Sequence, residues 1–383
     1  MTSVAQLEQQ ARALIQSGQF VAAEALVQPY LASGSGPIEL WRLLAAAIRP
    51  QGRIAEARAI QEMLVEAVPG HLPGRFDLAE TALLQGDFDR GWREYHWRYS
   101  LPHTLRIERK VQRPRWDGRP IPGKTLLLFD EQGYGDTLQF MRMVPWVKER
   151  SGARVILDVV PDLLSLVQRT TGFDAILPRG TLPPAFDMHC EMMSLPMVMQ
   201  LKLADLPGAV PYLTPDPGRL AKWRRRLATL PRPLVALVWA GRPEHPNDAN
   251  RSAALADFAP LALPGVTFLA VQKGPKAVEA RMPPAGMTIL PLDNEIRDFE
   301  DTAAILCVAD LLISVDSAPV HLAGALGRSA WVLLPFVPDW RWLLDREDTP
   351  WYPSLRLFRQ QGSRGWDGVM GAVAGELSRL ASA

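Results

Sequence analysis

The stretch LLISVDSAPVHLAGALG, residues 311–327, decides the fold class of this chain. Its apolar run 311–315 is typical of a buried strand, and Asp316 and Ser317 then turn the chain. Pro319 suits the first turn of a helix, where its missing N–H costs nothing, and small apolar residues continue that helix. A strand followed directly by such a helix predicts a βα unit of a parallel α/β sheet.

The start of this predicted helix is a candidate binding site. Ligands of open α/β sheets bind at the carboxyl ends of the strands, and backbone N–H groups at a helix start can bind an anion. Asp316, Ser317 and Ala318 lie at this point, and His321 follows one turn later. A lone His is more often a satisfied structural residue, but its neighbours here favour a ligand contact.

The same strand–helix alternation extends over most of the chain and predicts two Rossmann-like halves. We expect strands at 125–129, 154–159, 175–177, 234–239, 266–271, 311–315 and 330–334, helices at 137–148, 301–308 and 318–326, and Pro-rich connections at 112–124 and 206–218. Parallel strands covered by helices on both faces follow from this order.

The turn EQGYGD, residues 131–136, joins a predicted strand to a predicted helix. Gly133 and Gly135 allow a sharp turn and a close approach to a ligand, and Gln132 lies beside them. Asp136 can act as a general base for a hydroxyl or as an N-cap of the helix. The turn is neither GxGxxG nor a Walker loop, which disfavours NAD binding and ATP hydrolysis.

Two further loops follow predicted strands of the second half. The polar loop after Trp239 contains Arg251, whose planar guanidinium suits a diphosphate, although a solvated surface loop is the alternative. Gln272 and Lys273 come directly after the next strand, where they could meet a phosphate or the edge of a base.

The remaining candidates are weaker. We expect His189 in a loop of the first half, together with Phe186, Asp187 and Glu191, where an acceptor contact competes with a structural role. Asp339, Trp340 and Arg341 could reach a ligand, although most Trp residues of this region are expected to be packing residues. Five of the 12 Trp residues of the chain lie between Trp331 and Trp366.

The first hundred residues repeat with a period of 34. This spacing predicts two antiparallel helices per unit, with a Gly at each turn and small residues at the helix crossings. The residues that carry the period are Gly18, Gly52 and Gly86; Ala11, Ala45 and Ala79; Phe20, Ile54 and Phe88; and Ala23, Ala57 and Gly91. A groove that binds a protein or peptide and a helical spacer or dimerisation element are both compatible with three units.

Composition narrows the class of protein. The chain has 383 residues with 42 Lys plus Arg and 41 Asp plus Glu, a net charge of +1 that disfavours a general nucleic-acid binder. No apolar run approaches the ~18 residues that a membrane span needs, and the first residues lack the pattern of a signal peptide. The two cysteines, Cys190 and Cys307, are too few for a disulfide framework, so we expect a cytoplasmic protein.

The repeats resemble tetratricopeptide repeats. The GYGD turn with Val144-Pro145 after it, the WAG loop at 239–241 and SVDSAPVHLAGALG resemble bacterial heptosyltransferases over about residues 124–383. DWRW and WYPSLRLFRQ resemble a bacterial subgroup that joins such repeats to this module, a pairing also found in O-linked N-acetylglucosamine transferases. The resemblance implies an α/β chain with an N-terminal all-α part, namely a tetratricopeptide-repeat solenoid (1–102) followed by a GT-B glycosyltransferase module of two Rossmann-like domains (103–215 and 216–383).

The resemblance also implies roles for single residues. Asp136 matches the aspartate proposed as the general base of the family, and Arg251 falls where the family places a basic residue on the donor diphosphate. Asp316, Ser317, Ala318 and His321 match the D-T-G-x-x-H donor loop, with Ser-Ala in place of Thr-Gly. This departure leaves the donor sugar open, so ADP-heptose is not assumed.

These roles predict an inverting, metal-independent transfer of a sugar from a nucleotide sugar to an acceptor hydroxyl, with no other cofactor. Three hypotheses remain open: an enzyme whose repeats recruit a protein acceptor, an enzyme for lipopolysaccharide or another glycan whose repeats serve assembly, and a non-catalytic adaptor that retains a nucleotide-sugar pocket. The sequence leaves the sugar, the nucleotide base, the acceptor and the oligomeric state open.

Overall fold

The computed structural model describes residues 3–32, 34–101, 111–362 and 365–382. Contacts within the chain divide it into two compact units. The helical unit takes Met1–Glu108, Leu201–Leu203 and Phe336–Asp345, and the α/β unit takes Arg109–Gln200, Ala204–Pro335 and Arg346–Ala383. The boundary expected after residue 102 lies outside the described residues, and the one expected after residue 215 stays a prediction.

The described part of the helical unit has two helices in each 34-residue period. The six helices are α1 (Val4–Gln16), α2 (Phe20–Leu31), α3 (Ile38–Ile48), α4 (Ile54–Ala67), α5 (Leu72–Leu84) and α6 (Phe88–Tyr95), with short 3₁₀ turns at Arg49–Gln51 and His96–Ser100. This confirms the expectation of helix pairs, whereas their assignment as tetratricopeptide repeats stays a prediction.

The repeated small residues lie at the turns and at the helix crossings, as their spacing predicts. Gly18, Gly52 and Gly86 lie at the turn within each helix pair and have φ values of 72°, 84° and 80°. A residue with a side chain rarely adopts this left-handed conformation. The alanines of the period are buried, and a Cβ at Gly91 would lie 2.5 Å from the side chain of Leu83. Close packing of the paired helices therefore requires small residues at these positions.

The segment Phe336–Asp345 belongs to the helical unit, although the sequence placed it within the 216–383 domain. Trp340 lies in a 3₁₀ turn, Trp340–Trp342, and is almost fully buried. Its ring packs edge-on against Trp92 of α6, with the ring centroids 5.0 Å apart. The Arg341 guanidinium lies 4.2 Å from the Trp340 ring centroid and 2.9 Å from the Asp339 carboxylate. Trp92 and Trp340 are therefore packing residues within the helical unit.

Glu80 on α5 should make the helical unit less stable as the pH rises. Burial raises the pKa of Glu80 to about 7, with Asp339 and Asp77 adding to the rise and Arg49 and Arg341 opposing it. Because the folded state holds this proton more tightly than the unfolded state, the stabilisation is complete below pH ~4.5 and is lost as the pH rises to about 7.

We expect Glu80→Gln to remove this pH dependence and to raise the free energy of unfolding at pH 8 by about 1–3 kcal/mol. Thermal unfolding of the unchanged chain and of Glu80→Gln between pH 5 and pH 8 measures this pH dependence. Glu66→Gln, at an exposed site of α4, is the matched control. Equal pH slopes for Glu80→Gln and the unchanged chain would contradict the assignment.

The α/β unit contains two sheets whose strands are all parallel. The first sheet has the order β3-β2-β1-β4 and the second the order β10-β9-β8-β5-β6-β7. The strands are β1 (Thr125–Phe129), β2 (Arg154–Val159), β3 (Ala175–Pro178), β4 (Met188–Glu191), β5 (Leu234–Val238), β6 (Thr267–Ala270), β7 (Thr288–Pro291), β8 (Leu311–Val315), β9 (Ala330–Leu334) and β10 (Leu355–Arg359). Each predicted strand is therefore confirmed, with ends that differ by at most one residue.

Helices accompany both sheets. They are α7 (Tyr134–Phe140), α8 (Val144–Ser151), α9 (Pro161–Val167), α10 (Leu195–Val198), α11 (Pro217–Leu227), α12 (Asp248–Arg251), α13 (Phe299–Val308), α14 (Ala318–Ala325) and α15 (Asp367–Ala381). Among all described residues, no helix combines the length and the apolar character that crossing a membrane requires.

Two expectations about the first half are wrong. The helix expected over 137–148 is split into α7, a 3₁₀ turn at Met141–Met143, and α8, because Pro145 has no N–H to continue the helix. The stretch that contains His189 and Glu191 is not a loop, since β4 pairs with β1 there and a bridge from Arg115 to His189 extends the sheet. Part of the connection 112–124 is thus docked on the sheet edge.

Candidate active site

The GYGD turn and the helix of the 311–327 stretch pack against each other within the α/β unit. A Cβ on Gly135 of α7 would lie 2.8 Å from His321 Cδ2 and 3.6 Å from the Ala318 backbone on α14. Distances this short leave no room for a side chain at position 135. The glycine therefore allows the carboxyl edge of the first sheet to reach the start of α14 at the edge of the second.

Asp136 is the third residue of α7 and is partly exposed. Its Oδ2 accepts a hydrogen bond from the Gly133 N–H at 2.8 Å. The carboxylate thus caps the helix, though from inside its first turn rather than from the N-cap position. Because a carboxylate can accept about four hydrogen bonds, capping and general-base chemistry are compatible at this residue.

The start of α14 is built as the sequence predicts. β8 ends at Val315, and Asp316 and Ser317 follow, both 8% exposed. Ser317 is the N-cap residue, but its Oγ lies 3.1 Å from Ser314 Oγ and makes no capping bond to the helix. Pro319 has no N–H, and the Val320 N–H donates to the Ser317 carbonyl at 3.0 Å. In the first turn of α14, the Ala318 N–H is therefore the donor that suits an anion at the helix start.

His321 is buried at the contact between α7 and α14. Its Nδ1 lies 3.0 Å from the hydroxyl oxygen of Tyr352, and only 5% of the residue is exposed. A Cβ on Gly324, one turn further, would lie 2.3 Å from the Tyr352 ring, so Tyr352 packs tightly on α14. The contact with Tyr352 is what a structural role for His321 predicts. His321 also lies at the predicted ligand site, so the two interpretations are compatible.

Arg251 lies beside the backbone that follows β5. A Cβ on Gly241 would lie 2.5 Å from Arg251 Nη2, and Arg251 Nε is 3.5 Å from Asp248 Oδ1. Ser252 Oγ accepts from the Gly241 N–H at 2.9 Å and donates to Asp248 at 2.8 Å. The loop expected here thus contains the short helix α12 and closes back on itself. Since β5 and β8 are adjacent strands, Arg251 belongs to the same sheet edge as the start of α14.

Gln272 and Lys273 hold neighbouring backbone. Gln272 Oε1 accepts from the N–H groups of Trp239 and Ala240 at 3.0 and 2.9 Å, and its Nε2 donates to the Ala240 carbonyl at 3.0 Å. Lys273 Nζ donates to the carbonyls of Asp293 and Ile296 at 2.7 and 2.9 Å. Those carbonyls follow β7, on the opposite side of β6 from β5. Gln272 therefore fixes the loop next to Arg251, and Lys273 is directed away from it.

His189 is almost fully buried on β4 and stacks on Phe129, with the ring centroids 5.9 Å apart. Its Nε2 is 3.7 Å from Glu191 Oε1, which also accepts from Arg115 Nε at 2.9 Å. Burial raises the pKa of Glu191, but His189 and Arg115 outweigh it and lower the pKa to about 2. This ion-pair cluster provides the structural role that was one of the two alternatives for His189.

Apart from Gln272, Lys273 and His189, the candidates form two groups. Gln132, Gly133, Gly135, Asp136, Arg251, Asp316, Ser317, Ala318 and His321 follow strands at the two facing sheet edges of the α/β unit. Asp339, Trp340 and Arg341 belong to the helical unit, where Trp340 is a packing residue.

Three residues at the contact between the two sheets were missed in the sequence. Arg142, 5% exposed, donates from Nη1 to the Trp351 carbonyl at 2.6 Å and from Nε to the Pro207 carbonyl at 2.8 Å. Tyr212 donates to the Leu138 carbonyl of α7 at 2.9 Å, and Tyr352 contacts His321. Tyr352 lies in the quoted WYPSLRLFRQ segment, whereas the surroundings of Arg142 and Tyr212 in the sequence carry no signal for these contacts.

Comparison with known proteins identifies the fold. No protein-family model matches the chain. Protein FlbA of Caulobacter vibrioides is 28% identical over 331 residues, which are 80% of this chain and 55% of FlbA, so the chain spans about half the length of this curated relative.

Two solved structures resemble the chain over about two thirds of its length. The glycosyl transferase family 9 structure from Veillonella parvula has a TM-score of 0.50 at 10% identity and covers 69% of this chain and 98% of its own. The ADP-heptose LPS heptosyltransferase II of E. coli has a TM-score of 0.49 at 13% identity and covers 67% and 98%. The likeness to the Veillonella structure shows that about two thirds of this chain share the parallel α/β fold of that glycosyl transferase.

Proposed function

We propose that this chain is an inverting glycosyltransferase that moves a sugar from a nucleotide sugar to an acceptor hydroxyl. The observation that carries the proposal is the packing of Gly135 against His321, because it joins the Asp136 turn of one sheet to the start of α14 in the other. A general base and an anion-binding helix start are the two elements that such a transfer needs. The glycosyltransferase fold supports the same conclusion.

In this mechanism Asp136 takes the proton of the acceptor hydroxyl while the hydroxyl oxygen forms a bond to the anomeric carbon of the sugar. The bond from that carbon to the diphosphate oxygen breaks, and the nucleoside diphosphate leaves with the electron pair. Attack from the face opposite the leaving group inverts the anomeric configuration. The Arg251 guanidinium and the Ala318 N–H at the start of α14 stabilise the negative charge that develops on the leaving diphosphate.

The activity is tested by incubating the full chain with a panel of nucleotide sugars and hydroxyl acceptors and measuring the nucleoside diphosphate that is released. We expect release with one donor class, and an inverted anomeric configuration of the product by NMR. Retention of configuration would contradict the assignment of Asp136 as a base. A chain that binds a nucleotide sugar but releases no diphosphate with any acceptor class would favour the non-catalytic adaptor.

Transfer should proceed without a divalent metal. Arg251 and the helix start supply the positive electrostatics that a metal ion would otherwise provide at the diphosphate. We therefore expect EDTA to change the rate less than about twofold. Removing a metal that takes part in the reaction would reduce the rate much more, because such a metal contributes several kcal/mol of transition-state stabilisation. Loss of activity in EDTA, with recovery in Mg²⁺, Mn²⁺ or iron, would contradict this.

We further propose that the helical unit recruits a protein acceptor. A row of ion pairs crosses the first helices of the three units, with Arg42 3.1 Å from Glu39 and 2.6 Å from Asp77, and Arg12 paired with Glu39. These side chains lie at the surface and are between 19% and 44% exposed. A polar polypeptide can exchange its own charged groups for these pairs, since surface ion pairs contribute only about 0–1 kcal/mol each.

The double variant Arg42→Ala/Asp77→Ala tests the recruitment. We expect kcat/KM for a protein acceptor to fall about tenfold, while that for a small hydroxyl acceptor stays unchanged. Arg58→Ala is the matched control, because Arg58 pairs with Glu62 and Asp87 on the second-helix side. A glycan or lipid acceptor that both variants modify at the original rate would favour repeats that serve assembly.

A further inference from the structure

Arg142 is a buried cation that joins the two halves of the α/β unit. It lies in the 3₁₀ turn directly after α7 of the first half, and only 5% of the residue is exposed. Its Nη1 donates to the Trp351 carbonyl, between β9 and β10, at 2.6 Å. Its Nε and Nη2 donate to the carbonyls of Pro207 and Gly208, in the Pro-rich connection, at 2.8 and 3.2 Å. One side chain thus holds three separate segments together.

The three partners of Arg142 suit a guanidinium. A guanidinium presents five N–H donors in a planar fork and can serve several carbonyls at once, whereas the ammonium of Lys is a point charge on a flexible stem. Among the described residues, the hydrogen-bond acceptors of Arg142 are these three carbonyl oxygens, and none is a carboxylate. The bonds therefore fix the positions of three backbone segments and do not neutralise a charge.

The backbone around Arg142 is packed equally closely. Gly208 has a φ of 82°, and a Cβ there would lie 3.2 Å from the Arg142 carbonyl oxygen. A residue with a side chain rarely adopts this conformation. The Trp351 ring lies against Phe140, the last residue of α7, with the ring centroids 6.2 Å apart. The end of α7 is thus fixed by its side chains and by its backbone.

The segment that Arg142 holds packs directly on α14. Tyr352 follows Trp351, and a Cβ on Gly324 of α14 would lie 2.3 Å from the Tyr352 ring. The Tyr352 hydroxyl oxygen also lies 3.0 Å from His321 Nδ1. Arg142 therefore connects α7, the helix that carries Asp136, with the segment that packs on α14.

We propose that Arg142 is a positioning residue for sugar transfer, because it fixes α7, and with it Asp136, relative to α14. It acts through the backbone of other segments and not on a ligand. The inference rests on the proposed function for the reaction that is measured. A misplacement of about 1 Å can reduce a rate about 100-fold, so loss of this contact should slow transfer although every ligand-binding side chain is retained.

Arg142→Met and Arg142→Lys test this role by kinetics and binding. We expect kcat to fall about 10- to 100-fold in Arg142→Met. The fall should be smaller in Arg142→Lys, whose ammonium can still serve one of the three carbonyls. The Kd of the nucleoside diphosphate should stay within about threefold in both variants, since its proposed contacts, Arg251 and the Ala318 N–H, belong to the second half.

Two control variants separate positioning from a loss of stability. Arg150→Met removes an arginine of α8 whose Nε donates to the Gly118 carbonyl at 2.9 Å, a contact within the first half. Val147→Ala opens a cavity at a fully buried site of α8 and should lower the unfolding temperature. Both should keep the original kcat. If Val147→Ala lost as much kcat as Arg142→Met at a similar unfolding temperature, reduced stability would explain the result and the proposal would be overturned.

A distance measurement tests the contact without any ligand. Spin labels are placed at the exposed sites Glu149 of α8 and Arg225 of α11 by Cys substitution, in the full chain with Cys307→Ser. We expect pulsed electron paramagnetic resonance to give one narrow distance distribution. Arg142→Met should broaden or shift it, and Arg150→Met should not. An unchanged distribution in Arg142→Met would overturn the proposal, and Arg142→Lys replaces this variant in both measurements if it does not fold.

The remaining outcomes distinguish this role from the reaction itself. An unchanged kcat in both Arg142 variants would overturn the positioning role. A Kd of the nucleoside diphosphate that rises as much as kcat/KM falls would assign Arg142 to ligand binding and would overturn it as well. If the unchanged chain released no nucleoside diphosphate with any acceptor, the proposed function would be refuted, and the distance distribution would still decide whether Arg142 holds the two halves in place.

Discussion

Replacing Asp136 by Asn should reduce transfer by about 10²- to 10⁴-fold, the usual contribution of a general base. The amide oxygen of Asn can still accept the Gly133 N–H, so the cap of α7 is retained. The loss should therefore appear in kcat, while the affinity for the nucleotide sugar stays within about threefold. Initial rates of nucleoside diphosphate release and a separate binding measurement check both parts.

Asp257 offers a matched control for this substitution. Its Oδ2 accepts the Ala254 N–H at 2.8 Å at the start of the 3₁₀ helix Leu255–Leu261, the same local geometry that Asp136 and Gly133 show. Asp257→Asn should leave the rate unchanged. If the two variants lost activity equally, a capping role would explain Asp136 and the base assignment would be refuted.

Replacing Arg251 by Ala should lower kcat/KM by about 10²- to 10³-fold, the range for removing one group that stabilises developing negative charge. The side chain is mostly buried next to Gly241, and its Nε has no hydrogen-bond partner among the described residues. A buried guanidinium that is only partly paired is suited to bind a diphosphate. Because the diphosphate carries charge before and after transfer, binding of the nucleoside diphosphate should weaken as well.

Two further variants, Arg251→Lys and Arg226→Ala, test this prediction for Arg251. Lys keeps the charge but loses the planar fork, so we expect an intermediate rate. Arg226 pairs with Glu295 at 2.9 Å on an exposed surface, and its removal should change stability by less than about 1 kcal/mol with no effect on rate. A full rate for Arg251→Ala would refute the assignment of Arg251 to the diphosphate.

Strands and helix pairs could be predicted from local sequence, because each depends on nearby residues. The apolar runs of β1, β5 and β8 are wholly or almost wholly buried, and the positive φ of Gly18, Gly52 and Gly86 is a local requirement of each turn. β4 escaped prediction because Met188–Glu191 contains two polar residues, His189 and Glu191, whose burial depends on Phe129 and Arg115, far away in sequence. The position of Phe336–Asp345 likewise depends on Trp92, about 250 residues earlier.

The residues of the candidate site likewise differ in whether local sequence could identify them. The glycines, Asp136 and the start of α14 were identifiable, because residues next to each other in the sequence determine a strand end, a tight turn and a helix start. The contact of Tyr212 with Leu138 and that of Tyr352 with His321 were not identifiable, because each joins segments that are far apart in the sequence. The sequence also could not indicate that Lys273 is directed toward the carbonyls after β7.

The most direct test of the account is the thermal unfolding of the full chain and of Arg251→Ala with a panel of nucleotide sugars. A ligand that binds only the folded state adds about 2.7 kcal/mol at a hundredfold excess over its Kd. We predict that at least one nucleotide sugar raises the unfolding temperature of the unchanged chain and that Arg251→Ala abolishes most of that rise. A panel in which no nucleotide sugar raises the unfolding temperature at millimolar concentration would contradict the proposal that this chain acts on nucleotide sugars.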